Sequence, residues 1–423
     1  MTDFRAAVLN HLQDRADELV ADLAGLVRIP SVSGTDEENS VLDALAQRMA
    51  QWDVEVDHWA IPLAQTVTAP GFPGVEVERS EAWGLVGRIA GRSGGPSLML
   101  NNHVDVVPPG NLAAWPRDDA FDGAIGADRV HGRGACDMKG GLTASLWAMR
   151  ALTELRVPLQ GDLLLACVVG EEDGGLGTFA TLGRGWRADA CVIPEPTSLD
   201  LVPANGGALT FRLTVPGLAV HASRRTAGVS AIEKFLPVFG ALRALEAERN
   251  AAVDPIMRRW DVAYPIEVGS VHTGDWTSSV PDLLVAEGRY GVRLDETPER
   301  ARAVFEQAVS AAAAADPWLR DHPVQVQWWG GQFAACRARD ADALLAAVAR
   351  AHGAVTGREQ QVWGAPYGSD LRLLTDIAGI PTVQYGPGDV TLAHGPGESV
   401  PIDEVLLAAQ SLALLAMDHC GVA

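Results

Sequence analysis

The sequence contains no block of lysine or arginine, no C-x-x-C pair, no internal repeat and no apolar stretch near the roughly 18 residues of a membrane span. Each absence removes a class of function. Lys and Arg number 33 against 54 Asp and Glu, a net charge of -21 at pH 7. Nucleic acid and anionic membrane surfaces both require a basic patch, so neither is an expected partner. The five cysteines (Cys136, Cys167, Cys191, Cys336 and Cys420) are odd in number, widely spaced and mostly inside apolar runs. That is the pattern of buried free thiols in a reducing compartment. The opening MTDFRAAVLNHLQDRADELVADLAGLV sets apolar residues at helical spacing but breaks them with Asp, Arg and Glu, so it lacks the uninterrupted core of a secretory signal. A cytoplasmic protein is expected. GRGACD at 132–137 has a phosphate-loop look, yet it matches the spacing of neither GxGxxG nor a Walker A loop, and nucleotide binding is not expected.

What is present is ordinary globular material, 48% hydrophobic and 21% charged, in a chain of 423 residues that is too long for one core. Up to about Pro203, helical stretches alternate with short apolar runs, SLMLNN, DLLLACVVG and ACVIPE, which predicts a mainly parallel sheet covered by helices. The pattern then changes. ALTFRLTV, IEVGSVHTG, VAEGRYGVRL and VQVQWWGG alternate with period two, and helical patterns cover GVSAIEKFLPVFGALRALEAE and TPERARAVFEQAVSAAAAA. Strand, helix, strand, strand, helix, strand is the order of a ferredoxin-like unit. From about Ala334 the α/β pattern returns, with the helix ADALLAAVARAHGAV, the strand in IPTVQYG and a last helix from Ile402. The expected fold is therefore α/β with two domains. Segments 1–205 and 332–423 form the mainly parallel-sheet domain, and 206–331 an inserted ferredoxin-like α+β domain.

Carboxylates and imidazoles recur where this pattern ends its strands. SLMLNN leads into His103 and Asp105, DLLLACVVG into Glu171 and Glu172, ACVIP into Glu195, and TVQYG through a Gly-rich loop to His394. Asp137 precedes a helix that starts near Leu142. An open α/β sheet binds ligands outside the carboxyl ends of its strands, so all of these can reach one rim. Two imidazoles and three carboxylates can hold two divalent cations, with one further carboxylate left for proton transfer. Asp105, two residues after His103, is expected to accept the other N–H of that imidazole. Glu171 and Glu172 are adjacent and diverge, so one can bind metal while the other addresses water.

These residues resemble the M20 family of metallopeptidases and amidohydrolases, which includes acetylornithine deacetylase, succinyl-diaminopimelate desuccinylase, aminoacylase-1 and carboxypeptidase G2. The resemblance runs from RIPSVSG at 28–34 through NNHVDVVP, VHGRGACDMKGG, VVGEEDGG, PEPT, VHASRRTAGVSAIEK, SSVPD and GVRL to AHGPGE, and the joint order of these motifs is highly specific. It implies that His103, Asp137 and Glu195 hold one metal and that Asp137, Glu172 and His394 hold the other, with Asp137 bridging. It implies Glu171 as general base and acid, and Asp105 as the carboxylate behind His103. His221 in VHAS falls on a histidine of the inserted lid that reaches across a homodimer to stabilise the oxyanion. Arg293 in GVRL matches an arginine that meets a substrate carboxylate. The sequence departs from the family where many members have Asn-Val-Val-Pro or Asn-Gln-Val-Pro. Here Ser279-Val280-Pro281 follows GDWTS, which leaves the usual contact of that Asn with substrate in question.

Other readings stand beside these. Arg293 can pair with Asp295; Asp370 in YGSDLR can line the pocket or make an Asx turn; Cys136 next to Asp137 faces the other way in an extended chain and is a packing residue. The twelve tryptophans can line an acyl pocket or serve core and interface. The expected activity is hydrolysis of the amide of an N-acylated amino acid or similar small amide by two divalent ions, zinc first and cobalt or manganese next. A dipeptidase or carboxypeptidase with the same site is the alternative.

Overall fold

The computed structural model describes residues 4–423; residues 1–3, the start of the expected first domain, lie outside the described residues. The chain divides into two units. One takes the chain up to Pro203 together with Arg337–Trp363 and Ser369–Ala423, and the other takes Ala204–Cys336 together with Gly364–Gly368.

A nine-stranded sheet forms the centre of the first unit. Its four middle strands, in the order Leu163–Val168, Leu98–His103, Ala190–Ile193 and Thr382–Gln384, are mutually parallel. Every residue in them is buried. That is why these segments are continuous apolar runs in sequence: a parallel sheet covered on both faces has no solvent side to alternate with. Asn101 and Asn102 are polar exceptions, and their side chains are satisfied by Thr178 at 3.1 Å and Ser145 at 3.0 Å. Trp83–Ile89 and Glu55–Ala60 extend the sheet antiparallel on one side. Leu201–Asn205, Cys336–Arg337 and Val362–Ala365 complete the nine.

The helices Gly140–Glu154 and Ile402–Cys420 pack against each other, each with a long buried face. The start of the first is tied to the site. A Cβ at Gly141 would lie 1.9 Å from the carbonyl oxygen of Pro194, so only glycine lets this helix begin against the segment that carries Glu195. A small three-stranded sheet, Ala124–Ile125, Arg129–His131 and Ser399–Pro401, brings the chain after His394 alongside the chain before Asp137. All five cysteines are unpaired and buried.

In the second unit four strands form an antiparallel sheet in the order Ile266–Thr273, Leu283–Val292, Gly207–Pro216 and Gln325–Phe333. With helices Ala231–Asn250 and Pro298–Ala315 between them in the chain, this is the ferredoxin-like arrangement. Its core is made by period-two and helical-period positions meeting. Leu209, Phe211, Leu213 and Val215 from the central strand pack with Phe235, Val238 and Leu242 from one helix and Ala301, Phe305 and Val309 from the other. The Phe211 and Phe305 rings lie 4.7 Å apart. Each helix starts at a hydroxyl cap, Ser230 accepting from Glu233 N and Thr297 accepting from Arg300 N.

Candidate metal centre

The parallel strands deliver their carboxyl ends to one rim, and side chains with ligand chemistry follow each end. His103 is the last residue of its strand and is 2% exposed. Its Nδ1 lies 2.8 Å from the backbone carbonyl oxygen of Asp105, a contact only an N–H can make. That fixes the proton on Nδ1 of a neutral ring and turns Nε2 outward as a ligand atom. The carboxylate of Asp105 is 3.8 Å from Nδ1, too far for a hydrogen bond, so the carbonyl takes the place expected for the side chain. The reason is that the carboxylate is already engaged. It accepts from the backbone N–H groups of Glu171 at 3.1 Å and Glu172 at 3.2 Å, and from Ser33 Oγ at 2.8 Å. Asp105 thus holds the Glu171–Glu172 turn while its backbone holds His103.

Asp137 stands between the two imidazoles. Its Oδ1 is 3.1 Å from His103 Nε2 and its Oδ2 is 3.5 Å from His394 Nε2. His394 Nε2 also lies 3.2 Å from Glu172 Oε2, and His103 Nε2 lies 4.0 Å from Glu195 Oε2. The Asp137–Met138 peptide bond is cis, and His394 sits at φ 61°, a left-handed conformation that costs of order 1–3 kcal/mol outside glycine. His103, Glu171 and Glu195 are buried, whereas His394 is exposed.

The turn carrying Glu171 and Glu172 has a third acidic residue that the sequence reading passed over. Asp173 accepts from Arg79 and from the backbone N–H groups of Glu76 and Val77, and the same guanidinium pairs with Glu38. Glu38 in turn accepts from Gly170 N and Gly34 N. These buried charges are paired and hydrogen-bonded to one another and stiffen the turn from behind. Nothing in the local pattern of VVGEEDGG separates Asp173 from its neighbours; only the partner 94 positions earlier does.

The electrostatics follow from crowding like charges out of water. Burial, with Asp370 next, pushes the Glu171 carboxyl well above its usual range; burial and Asp137 do the same to Glu195. Against its burial, Asp137 is held low by His103 and His394. Glu172, in spite of burial, lifts the His394 imidazole to about 11. A cation that took His394 as a ligand would therefore compete with a proton. For protein stripped of metal, affinity is expected to rise between about pH 6 and 8 by up to tenfold per unit for each proton displaced. Calorimetry in buffers of different ionisation enthalpy checks this, and binding without proton release would contradict it.

The donor set suits a divalent cation. His103, Asp137 and Glu172 each offer an atom within 4.8 Å of the others. Imidazole nitrogen with carboxylate oxygen is a borderline-soft set suited to zinc, cobalt or manganese. Glu195 and His394 flank this group at the distances given above.

His221 lies in the second unit and is exposed; its Nδ1 accepts from Ser223 N at 3.2 Å, which leaves the proton of a neutral ring on Nε2. Its backbone pairs with that of Ser279 in an isolated antiparallel bridge. Arg293, in the same unit, pairs with Asp295 at 3.1 Å, the alternative that its strand position allowed. Asp370 is buried and accepts from Thr178 Oγ1 at 2.6 Å rather than from its own turn. Cys136 Sγ donates to the Asp389 carbonyl at 3.3 Å, a packing role.

A model of the family described as Peptidase family M20/M25/M40 matches residues 99–418. Succinyl-diaminopimelate desuccinylase of Methylobacterium nodulans is 31% identical over 379 residues, 86% of each chain. N-formyl-4-amino-5-aminomethyl-2-methylpyrimidine deformylase of Halalkalibacterium halodurans is 29% identical over 352 residues, 77% of this chain and 79% of that protein. The solved structure of the dipeptidase Dug1p of Saccharomyces cerevisiae has the same fold, with a TM-score of 0.80 at 15% identity over 99% of each chain.

Proposed function

The chain belongs to peptidase family M20/M25/M40, a family of amide and peptide hydrolases, and on that premise we propose that it is a two-metal deacylase of a small N-acylated amine or amino acid. The observation that supports two ions is the position of Asp137. One of its oxygens is 3.1 Å from His103 Nε2 and the other 3.5 Å from His394 Nε2, and each imidazole has a further carboxylate beside it. In this reading Asp137 would be shared, with His103 and Glu195 holding one ion and Glu172 and His394 the other. Bound there, two divalent ions, zinc before cobalt or manganese, supply Lewis acidity and a water acidified enough to attack at neutral pH.

The protein's own groups do the rest. Glu171 takes the proton from the attacking water and hands it to the departing nitrogen. Burial raises the proton affinity of this carboxyl, the direction an acceptor needs. His221 donates its Nε2 hydrogen to the oxygen of the tetrahedral intermediate, acting across a homodimer formed through the second unit. Arg293 receives a substrate carboxylate by exchanging it for Asp295. Two relatives named as a deformylase and a desuccinylase favour acyl transfer to water over peptide cleavage. Among the described residues no helix is long and apolar enough to cross a membrane, and a cytoplasmic location fits this activity.

The test is a panel of N-formyl, N-acetyl and N-succinyl amino acids and amines set against dipeptides. The reading predicts that one acyl series is hydrolysed with the highest kcat/KM. Faster cleavage of dipeptides would move the enzyme to the dipeptidase or carboxypeptidase class.

A further inference from the structure

The loop at 132–137, with its phosphate-loop look, gathers backbone N–H groups onto an anion that belongs to the protein itself. Glu398 Oε1 accepts from Gly134 N at 2.8 Å, Cys136 N at 3.1 Å and Asp137 N at 3.2 Å. Its other oxygen pairs with Arg133. N–H groups converging through a left-handed residue, here Gly134 at φ 84°, make an anion-binding concavity, and a side-chain carboxylate fills this one. Glu398 is 1% exposed and Arg133 2%.

The same pair reaches the second ligand loop. Arg133 Nη2 donates to the carbonyl oxygen of His394 at 3.0 Å, and Gly132 N donates to the carbonyl oxygen of Glu398 at 3.0 Å. The strand pairing of Ser399 with His131 continues this register. Two loops separated by more than 250 positions are therefore locked through one carboxylate and one guanidinium, and each loop carries one of the imidazole and carboxylate groups that face each other across the centre.

We propose that Glu398 is a positioning residue of the metal centre: it aims the bridging Asp137 and, through Arg133, fixes the spacing between Asp137 and His394. This inference rests on the two-metal reading and adds to it a residue that touches neither ion nor substrate. One of the three N–H groups on this fixed oxygen is that of Asp137 itself and another is its neighbour's, so a shift of the Asp137 backbone costs its own bond and strains that of Cys136. Outer partners of this kind typically change metal affinity or activity about 10–100-fold when altered.

The experiment compares wild type with Glu398→Gln and Arg133→Lys, all stripped and titrated with zinc against a chelator. Amide kinetics and the visible spectrum of the cobalt forms are read on the same proteins. Glu398→Gln keeps an oxygen for the N–H groups but turns an NH2 group on Arg133. We expect zinc affinity and kcat each to fall about 10–100-fold, KM to change little, and the cobalt bands to shift. Arg133→Lys keeps a cation beside Glu398 and gives up the bond to His394, so one of the two zinc steps should weaken more than the other. This variant decides the matter alone if Glu398→Gln does not fold. Wild-type zinc titrations, spectra and kcat in either folded variant overturn the proposal while the two-metal reading stands. A wild type that takes up fewer than two ions overturns that reading instead, and is recognised because no substitution is involved.

Discussion

Replacing Glu171 with Gln is expected to leave both ions bound and to lower kcat about 10²–10⁴-fold, the usual worth of a positioned acid-base group. The substitution preserves size and the backbone anchor, since Asp105 holds residues 171 and 172 through their main-chain N–H groups. It removes only the capacity to take a proton. Glu172, which turns its carboxylate to His394, is untouched, so metal content should stay at the wild-type level. KM should also hold, because the proton is transferred in the transition state and contributes nothing to ground-state binding. Steady-state kinetics with metal analysis on the same samples checks this. A variant with near wild-type kcat would exclude Glu171 as the base, and one that loses its metal would make it a ligand.

Replacing His221 with Ala is expected to lower kcat about 10²–10³-fold, the cost of one oxyanion donor, again with both ions retained. Ser223 N–H occupies Nδ1, so a neutral His221 can only donate from Nε2, as an oxyanion requires. His221→Gln, which can present an amide N–H, should recover part of the loss. If His221 acts across a homodimer, mixing His221→Ala with Glu171→Gln subunits should restore activity that neither has alone. Full turnover by His221→Ala with metals bound would remove the residue from the mechanism.

Much of the fold is legible in the sequence because burial leaves a pattern. The four parallel strands are unbroken apolar runs, and the second unit's strands alternate because only one face is packed by helices. The ligand-type residues are legible because His103, Glu171, Glu172, Glu195 and His394 follow those runs, and Asp137 precedes a helix. What stays hidden depends on partners distant in the chain. Glu398 is four positions after His394 and looks like a turn residue; its role is set by N–H groups 261 to 264 positions earlier. Arg79 lies in a stretch with little regular pattern, yet it ties Glu38 to Asp173. Asp105 illustrates the limit of local patterns. Its place two residues after His103 suggests a partner for that imidazole, and not that two N–H groups 66 and 67 positions later take its carboxylate instead.

The central claim is that catalysis needs two cations held by His103, Asp137, Glu172, Glu195 and His394. It is tested most directly by stripping the protein of metal and following hydrolysis of its best amide while zinc is added back and bound metal is counted. The account predicts no activity at the start and a maximum reached at about two ions per chain. Full activity in stripped protein, or addition of zinc without stoichiometric binding, would contradict it.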